Sequence, residues 1–167
     1  PGMNIHRNPL NGRNFEYFSE DPLLTGKMAA AQLKGMAVAG TSGTIKHFAG
    51  NNQEFSRHTA DGVVSERALR EIYLKGFEIA VKEGGALSIM STYGPVNGLW
   101  TAGSYDLLTT ILRGEWGFDG LVMTDWWAKM NDEGEDGDTH NTTAMVRAQN
   151  DVYMVVSDAA RNTGADN

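Results

Sequence analysis

The hydrophobic pattern of this chain alternates between short apolar runs and longer stretches in which apolar residues recur every three or four positions. The apolar runs predict four strands, which cover residues 44–48, 86–92, 120–124 and 152–156. The helical spacing predicts helices that begin at Asp21-Pro22, Ser65 and Ser104, and a weaker helix over residues 143–150. Because single helices separate the strands, we expect right-handed crossovers and a parallel sheet covered by helices.

Each of the three stronger helices carries apolar residues at helical spacing, which predicts the side that packs on the sheet. In the first helix these residues are Leu23, Leu24, Met28, Ala31 and Met36. In the second they are Leu69, Ile72, Tyr73, Phe77, Ala80 and Val81. In the third they are Leu107, Leu108, Ile111 and Leu112. Gly84-Gly85 is expected to end the second helix, and the third is expected to end near Trp116-Gly117.

Two architectures fit this alternation: a doubly wound sheet and a (β/α)8 barrel. No predicted strand is followed by GxGxxG or by GxxxxGK with Ser or Thr, which disfavours nucleotide binding. The residues at the predicted strand ends favour the barrel, because barrels form their active sites at the carboxyl ends of their strands. Those residues are Lys46, His47, Met90, Tyr93 and Asp125.

Composition narrows the range of functions. The 167 residues include no cysteine, which excludes a disulfide framework, a thiol nucleophile and a cysteine-ligated zinc site. No apolar run in this stretch is long enough for a membrane span or a signal peptide, and the cellular compartment stays open. The net charge of -7 disfavours non-specific nucleic-acid binding, which needs clustered Lys and Arg. Five acidic residues lie within residues 132–138, in a loop that does not match an EF-hand, so the acidity says little about the substrate.

Residues 122–127 (VMTDWW) place an acid at the end of an apolar strand, followed by two tryptophans. This arrangement suits sugar binding, because an aromatic ring packs against the C–H face of a sugar while a carboxylate stabilises an oxocarbenium-like centre. In the alternative interpretation, Asp125 caps the next helix and the tryptophans are core residues. The pattern alone leaves both interpretations open.

Lys46 and His47 form a second candidate at the end of the first predicted strand. Two adjacent donors can hydrogen-bond vicinal hydroxyls, and a Lys near the acid would keep the pKa of that acid low enough for it to stay a carboxylate at neutral pH. The alternative is a surface Lys beside a His whose hydrogen bonds are structural. Arg13 and Arg57 offer rigid forked donors, although most arginines are surface residues or structural ion-pair partners. The spacing of His47 and His58 does not support a metal site.

Five stretches of the chain carry a family resemblance. They are residues 1–17 (PGMNIHRNPLNGRNFEY), 19–22 (SEDP), 45–54 (IKHFAGNNQE), 65–73 (SERALREIY) and 116–126 (WGFDGLVMTDW). In this order they are similar to the β-glucosidases of glycoside hydrolase family 3, and the likeness runs from Pro1 to about Val156. The resemblance implies an incomplete (β/α)8 barrel over residues 1–156, followed by a polar tail or linker over residues 157–167.

The resemblance also implies an activity: hydrolysis of terminal β-D-glucosidic bonds, and often of xylosides, with retention through a covalent glycosyl-enzyme intermediate. By resemblance, Asp125 is the nucleophile. The substrate-binding residues that it implies are Arg13, Lys46, His47, Arg57, Tyr93 and Trp126. It implies no metal and no cofactor. Residues 46–52 (KHFAGNN) differ from the KHFPGHG pattern of the family's N-acetylglucosaminidases, which favours a glucosidase.

Two residues depart from the family pattern. Trp127 stands where these enzymes usually carry a small residue, and Gly94 replaces the Asn that commonly follows the tyrosine. Both changes leave the nucleophile intact, but because of them the resemblance does not fix which leaving group is preferred. The resemblance further implies that the acid/base, a Glu on a later domain, and an upstream sugar-binding Asp lie outside this chain. Since a barrel takes about 250 residues, we expect the chain to be the nucleophile-bearing part of a larger glycosidase, starting inside the barrel at Pro1.

A second hypothesis is a non-catalytic, sugar-binding or oligomerising half-barrel. Four or five strands cannot close an eight-stranded sheet, and open edges favour pairing with another copy. A third, an unrelated α/β enzyme that acts on phosphates or nucleotides, is disfavoured by the missing glycine-rich loops. The expected partners are a β-glucoside or oligosaccharide, the remaining barrel with the acid/base-bearing domain, and a second copy in a homo-oligomer, with no nucleic acid and no membrane.

Overall fold

The computed structural model describes residues 1–154, and residues 155–167 lie outside the described part. The strands are β1 (Thr44–Phe48), β2 (Ser88–Ser91), β3 (Pro95–Val96), β4 (Leu99–Trp100) and β5 (Leu121–Met123). The α-helices are α1 (Pro22–Val38), α2 (Glu66–Ala68), α3 (Lys75–Lys82) and α4 (Thr142–Arg147). Two π-helices cover Leu69–Tyr73 and Asp106–Glu115, and 3-10 helices cover Asn14–Glu16 and Thr101–Gly103. The predicted tail 157–167 and the last two residues of the predicted strand 152–156 lie outside the described residues.

The central sheet is parallel, with the strand order β1-β2-β5. Ile45, Ile89 and Val122 are paired across it in register and are fully buried. They belong to one core cluster with residues of α1, α3 and the second π-helix, such as Leu33 and Phe77. The helices therefore cover one face of the sheet. The next residue of each strand lies on the opposite face and is half-buried, and these residues are Lys46, Met90 and Met123.

Two further segments extend the sheet as single parallel bridges. Gly2 pairs with Lys46 beside β1, and Val152 pairs with Met123 beside β5. The described residues thus supply five parallel strand positions, although the predicted strand 152–156 is represented only by its first residue. Within residues 1–154 this wall does not close on itself. Parallel strands with helices on one face agree with the predicted incomplete (β/α)8 barrel, and the predicted weak helix near residue 143 is present as α4.

Helix α1 begins as predicted but packs on a different face. The Asp21 carboxylate accepts hydrogen bonds from the backbone N–H groups of Leu23 and Leu24, and Pro22 occupies the first turn. The buried residues are nevertheless Thr25, Gly26, Ala29, Ala30 and Leu33. The stripe predicted from Leu23, Leu24, Met28, Ala31 and Met36 is wrong, because none of these five is buried. Small residues are buried here because α1 and α3 approach closely: a Cβ on Gly26 would lie 2.8 Å from the Cβ of Ile79.

The second predicted helix begins at Ser65 as expected, since the Ser65 hydroxyl accepts a hydrogen bond from the Ala68 N–H. A π-helical stretch then changes which residues face inward. Ile72, predicted in the stripe, is 40% exposed, whereas Leu74 and Ile79, which the stripe omits, are 1% and 6% exposed. A π-turn adds a residue to the helix, so a stripe counted at 3.6 residues per turn loses its register there.

The other predicted boundaries hold in most places. The four residues predicted to face inward in the third helix are all buried, although that helix is π-helical over Asp106–Glu115. Its predicted start holds, because the Ser104 carbonyl and hydroxyl accept hydrogen bonds from the N–H groups of Leu108 and Leu107. Strand β1 has the predicted limits, whereas β2 and β5 are shorter than predicted. The hairpin of β3 and β4 was not predicted. Its turn consists of Asn97 and Gly98, both with positive φ (52° and 85°), and an Asn-Gly pair is the sequence signal for such a turn.

No helix within residues 1–154 combines the length and the apolar character that a membrane crossing requires.

Candidate active site

The predicted site residues lie at one end of the sheet. Asp125 follows β5, Tyr93 follows β2, and Lys46 and His47 lie in the last half of β1. Arg13 belongs to the loop that follows the segment bridged to β1, and Arg57 to the loop that follows β1. Except for Lys46, which is the middle residue of β1, these positions are at or beyond the carboxyl ends of parallel strands, where barrels place their active sites.

Asp125 is the most deeply buried acid of the site. It is 6% exposed, and its Oδ1 accepts a hydrogen bond of 2.8 Å from the Trp126 backbone N–H. Its Oδ2 is buried without a hydrogen-bond partner among the described residues and lies 3.8 Å from Nε2 of His47. Burial raises the pKa of Asp125, and the Trp126 N–H, the Tyr93 hydroxyl, Arg13 and Arg57 oppose that rise. The net shift is upward, and the cations named as lowering this pKa are Arg13 and Arg57 rather than the Lys that the sequence suggests.

His47 is held by its backbone as well as by burial. The pairing of β1 with β2 shifts register between Lys46 and Phe48, as in a β-bulge, which re-aims the side chain at that point. The Asn4 side chain donates to the His47 carbonyl (2.9 Å) and accepts from the His47 N–H (2.8 Å). Burial lowers the pKa of His47 to about 2, with further lowering by Arg13, Lys46 and Arg57. The imidazole is therefore neutral at ordinary pH, and its contact with Asp125 is not an ion pair.

Arg13 and Lys46 share one carboxylate. The Arg13 Nε donates to Oε1 of Glu16, and the Lys46 Nζ lies 3.6 Å from Oε2 of the same side chain. The Arg13 and Glu16 side chains are each 19% exposed. Two cations that precede and follow α1 in the sequence are thereby joined beside the end of β1.

Arg57 is held by a second carboxylate. Its Nη1 donates to Oε2 of Glu54 (2.8 Å), and Oε1 of Glu54 accepts from the Asn51 amide (2.9 Å). The Arg57 guanidinium lies over the Tyr93 ring, 4.7 Å from its centroid, and the His58 ring lies 4.2 Å from the same ring. Burial raises the pKa of Tyr93 to about 12, and the negative charge of Asp125 adds to the rise. The Tyr93 hydroxyl therefore keeps its proton.

The two tryptophans form the exposed side of the site. Trp126 and Trp127 are 39% and 46% exposed, and their rings meet edge to face at a centroid distance of 5.7 Å. The alternative that they are core residues is thus wrong. Trp127 has a φ of 52°, in the left-handed region that favours glycine.

Sequence reasoning missed three supporting residues. Asn4 and Glu16 lie within the first resembling stretch and Glu54 at the end of the third. The sequence marks the two acids only as surface residues or structural ion-pair partners, and it marks no role for Asn4. Glu16 and Glu54 each have both carboxylate oxygens beside a donor or a cation.

A cavity of about 320 Å³ lies next to the site. It shares Arg57 with the site and is lined mainly by the segments that follow β1 and β2, including Asn51, Asn52, Thr92 and Gly94. Arg7, the first π-helix and β3 also contribute to its lining. Asp125 and Lys46 do not line it. Within residues 1–154, no three His, Asp or Glu side chains are grouped as a metal ion would require.

Comparison with known proteins gives consistent matches. The family model described as glycosyl hydrolase family 3 N terminal domain matches residues 1–164. A β-glucosidase from Ruminococcus albus is 69% identical over 167 residues, which are 100% of this chain and 17% of that protein. The crystal structure of a β-glucosidase from Paenibacillus barengoltzii matches with a TM-score of 0.92 and 70% identity, over 93% of this chain and 17% of that one. β-Glucosidase 3B from Thermotoga neapolitana, solved in complex with glucose, matches with a TM-score of 0.85 and 51% identity, over 92% of this chain and 20% of that one.

These matches confirm the resemblance drawn from the five stretches and the barrel-type α/β fold class. The chain spans only 17% of the length of the Ruminococcus albus protein.

Proposed function

Since the chain belongs to glycosyl hydrolase family 3, we propose that it is the nucleophile-bearing part of a retaining β-glucosidase, in a longer protein or in an assembly with complementary chains. One observation carries this proposal. A buried carboxylate, Asp125, lies at the carboxyl end of a parallel strand, with a neutral His47 at 3.8 Å and with Arg13 and Arg57 lowering its pKa against burial.

In the proposed first step, an Asp125 oxygen attacks the anomeric carbon of the β-glucoside. The glycosidic C–O bond breaks, the leaving oxygen takes a proton from a general acid, and a covalent glycosyl-enzyme ester forms. In the second step water attacks the same carbon, the former acid removes the proton of the water, and Asp125 leaves as a carboxylate. Two inversions at one carbon give net retention. The hydrogen bond from the Trp126 N–H fixes the orientation of the carboxylate for both steps.

The proposed sugar contacts follow from the donors at the site. Arg13, Lys46 and Arg57 would donate to sugar hydroxyls, and the neutral imidazole of His47 can donate or accept without adding charge. The protonated Tyr93 hydroxyl lies beside the nucleophile, and the half-exposed Trp126 ring offers a flat apolar wall for the C–H face of the sugar.

The general acid is proposed to come from outside the described residues. Glu16 and Glu54 are ion-paired with the cations of the site, so neither is free to carry a proton to the leaving oxygen. In a retaining enzyme the two carboxyl groups lie about 5 Å apart. The proposal therefore requires the remaining barrel and a further segment that brings the acid to Asp125.

The test is an aryl β-glucoside assay of the full-length protein that carries this chain. We expect Asp125→Ala to lose essentially all turnover, whereas Asp119→Ala, which removes an exposed acid just before β5, serves as the matched control. A 2-deoxy-2-fluoro-glucoside should trap an ester on the peptide that contains Asp125, read by mass spectrometry. Equal turnover by Asp125→Ala and the wild type would reject the nucleophile assignment.

A second candidate function is a sugar-binding or self-associating half-barrel without catalysis. The observation that favours it is the open wall of five parallel strand positions, in which Gly2 and Val152 lie at the two edges. Unpaired strand edges favour association with a second copy. Light scattering and glucose titration of this chain test it, and a stable monomer that binds no glucose would count against it.

A further inference from the structure

We propose that Glu16 is a positioning residue of the sugar site, which fixes Arg13 and Lys46 in one arrangement. This inference rests on the proposed function, because it concerns how that site holds its substrate. It goes further in naming the residue on which two of the proposed sugar contacts depend.

The geometry gives Glu16 two roles at once. Its Oε1 accepts from the Arg13 Nε, and its Oε2 lies 3.6 Å from the Lys46 Nζ. Arg13 is in the loop before α1, whereas Lys46 is in β1, so the two cations come from separate segments of the chain. One carboxylate thus sets the distance between two donors that must meet the same sugar ring.

The surroundings of Glu16 restrict its movement. Its side chain is 19% exposed, and it belongs to the short 3-10 helix Asn14–Glu16. A Cβ on Gly2 would lie 2.9 Å from Oε2 and 3.1 Å from Cγ of Glu16, so the glycine leaves the space that the carboxylate occupies. Gly2 is itself bridged to Lys46. The strand edge, the carboxylate and the Lys are therefore packed as one unit.

The charges of the site support the same role. Three cations, Arg13, Lys46 and Arg57, belong to the proposed sugar site, and a long flexible Lys or Arg without an anchor loses many rotamers when it binds a ligand. An ion pair that already holds the side chain reduces this cost before the sugar arrives. Because Glu16 pairs with two of the three cations, its loss should weaken two contacts together.

The test uses steady-state kinetics of the full-length protein with an aryl β-glucoside. Glu16→Gln keeps the size of the side chain and removes its charge. Glu71→Gln removes the same charge from an exposed pair with Arg67 and is the matched control. We expect kcat/KM to fall on the order of 10- to 100-fold in Glu16→Gln, as when a charged hydrogen-bond partner is lost, and to stay within about twofold in the control.

A double-mutant cycle separates positioning from a general structural effect. If Glu16 holds both cations, Glu16→Gln should cost less in an Arg13→Met background than in the wild type, about 3- to 10-fold, because only the contact with Lys46 is left to lose. A loss that arises from misfolding alone would not depend on residue 13 in this way.

Gly2→Ala provides a second route that changes no charge. The added methyl group would displace the Glu16 carboxylate, so we expect kcat/KM to fall in the same direction as in Glu16→Gln. Gly35→Ala is its control, because a Cβ there meets nothing within 4 Å. Thermal unfolding of every variant by circular dichroism shows which variants fold. If Glu16→Gln does not fold, the kinetics of Gly2→Ala test the positioning role of Glu16.

The outcomes distinguish this inference from the proposed function. Equal kcat/KM in Glu16→Gln and Glu71→Gln, or a full loss in the Arg13→Met background, would overturn the role of Glu16 and leave the proposed function standing. A wild-type protein that does not hydrolyse the glucoside counts against the proposed function. In that case the glucose affinities of the same variants, measured by titration calorimetry, test the role of Glu16. We expect the affinities to rank the variants in the order given above for kcat/KM. A wild type that neither hydrolyses the glucoside nor binds glucose would overturn both the proposed function and the role of Glu16.

Discussion

Nε2 of His47 lies 3.8 Å from Oδ2 of Asp125, and the two residues are 1% and 6% exposed. The distance is too long for a hydrogen bond. Since burial lowers the pKa of His47 to about 2, the imidazole does not carry the charge that would make this contact an ion pair. Arg13 and Arg57, rather than His47, supply the positive charge that acts on Asp125.

The neutral His47 predicts a loss of stability in mild acid. In the unfolded chain a His titrates near pH 6.5, whereas folded His47 stays neutral down to about pH 2. Between these values the unfolded state binds the extra proton, so the free energy of unfolding falls as the pH falls below about 6.5. From pH 7 to pH 5 this group contributes a loss of at most about 2 kcal/mol.

Urea unfolding of the wild type and of His47→Gln at both pH values measures this contribution. The wild type should lose more stability than the variant between pH 7 and pH 5. Burial raises the pKa of Asp125, which acts in the opposite sense in acid, but this effect is common to both proteins and cancels in the comparison. Identical losses in the two proteins would contradict a neutral His47.

Tyr93→Phe should move the acid limb of the activity profile to higher pH. The pKa of Tyr93 is raised to about 12 by burial and by the charge of Asp125, so the hydroxyl is protonated and lowers the pKa of Asp125. Without that hydroxyl the pKa of Asp125 rises. The proposed nucleophile must be ionised to attack, and activity should therefore be lost at a pH about 0.5 to 1 unit higher.

The measurement is kcat/KM for an aryl β-glucoside against pH in the full-length protein. Tyr105→Phe, which removes a hydroxyl from a half-exposed side chain at the start of the second π-helix, is the control. A limb that stays in place in Tyr93→Phe, or that moves equally in Tyr105→Phe, would show that the Tyr93 hydroxyl does not act on the nucleophile.

Asn4 has no proposed contact with the sugar, but Asn4→Leu should strongly lower the free energy of unfolding. Asn4 is 2% exposed, and its amide pairs with both the N–H and the C=O of His47. Leu has a similar volume but leaves both buried backbone groups unpaired, which costs about 2–5 kcal/mol.

Urea unfolding of Asn4→Leu and of Asn8→Leu measures this cost. Asn8 also accepts from a backbone N–H, that of Leu10, at 2.9 Å, but at an exposed position where water can replace it. The control should therefore lose less than about 1 kcal/mol. Similar losses at both positions would mean that the pairing with His47 is not what Asn4 contributes.

The parts of the fold that the sequence predicts well are set by neighbouring residues. The Asp21-Pro22 start of α1 and the Ser65 cap depend on a side chain and a backbone N–H two or three residues away, and both are present. The run Thr44–Phe48 is predicted to its exact limits because its β-branched and aromatic residues stand between turn-forming glycines.

The wrong predictions concern helix positions whose burial depends on segments distant in the sequence or on a local departure from α-helical geometry. Met28 is 48% exposed because the close approach of α3 selects small residues on α1, and no local pattern records that approach. Ile72 is exposed because a π-helical stretch shifts the register of the stripe. In both places the apolar stripe counted at 3.6 residues per turn describes an ideal amphipathic helix, but it does not match the residues that are buried in the structure.

The candidate site divides in the same way. Asp125 stands out in the sequence because it follows an apolar run, and the structure places it just after β5, whereas Lys46, predicted to close β1, is the middle residue of that strand. Glu16 and Asn4 contact residues about 30 and 43 positions away, at Lys46 and His47, so their role follows only from the folded chain. A sequence therefore indicates which residues carry the chemistry more readily than which residues hold them.

Two glycines of α1 provide a test of the close helix packing. Gly26→Ala places a Cβ 2.8 Å from the Cβ and 2.9 Å from the Cδ1 of Ile79 in α3, and 3.1 Å from the Gly76 carbonyl oxygen. Neither the branched Cβ nor the backbone can move freely, so we expect a loss of about 1–3 kcal/mol. Gly35→Ala in the same helix meets nothing within 4 Å and should stabilise the protein by about 0.5–1 kcal/mol through helix propensity alone. Urea unfolding of the two variants should therefore give shifts of opposite sign, whereas a gain in both would mean that α1 and α3 are not in close contact at Gly26.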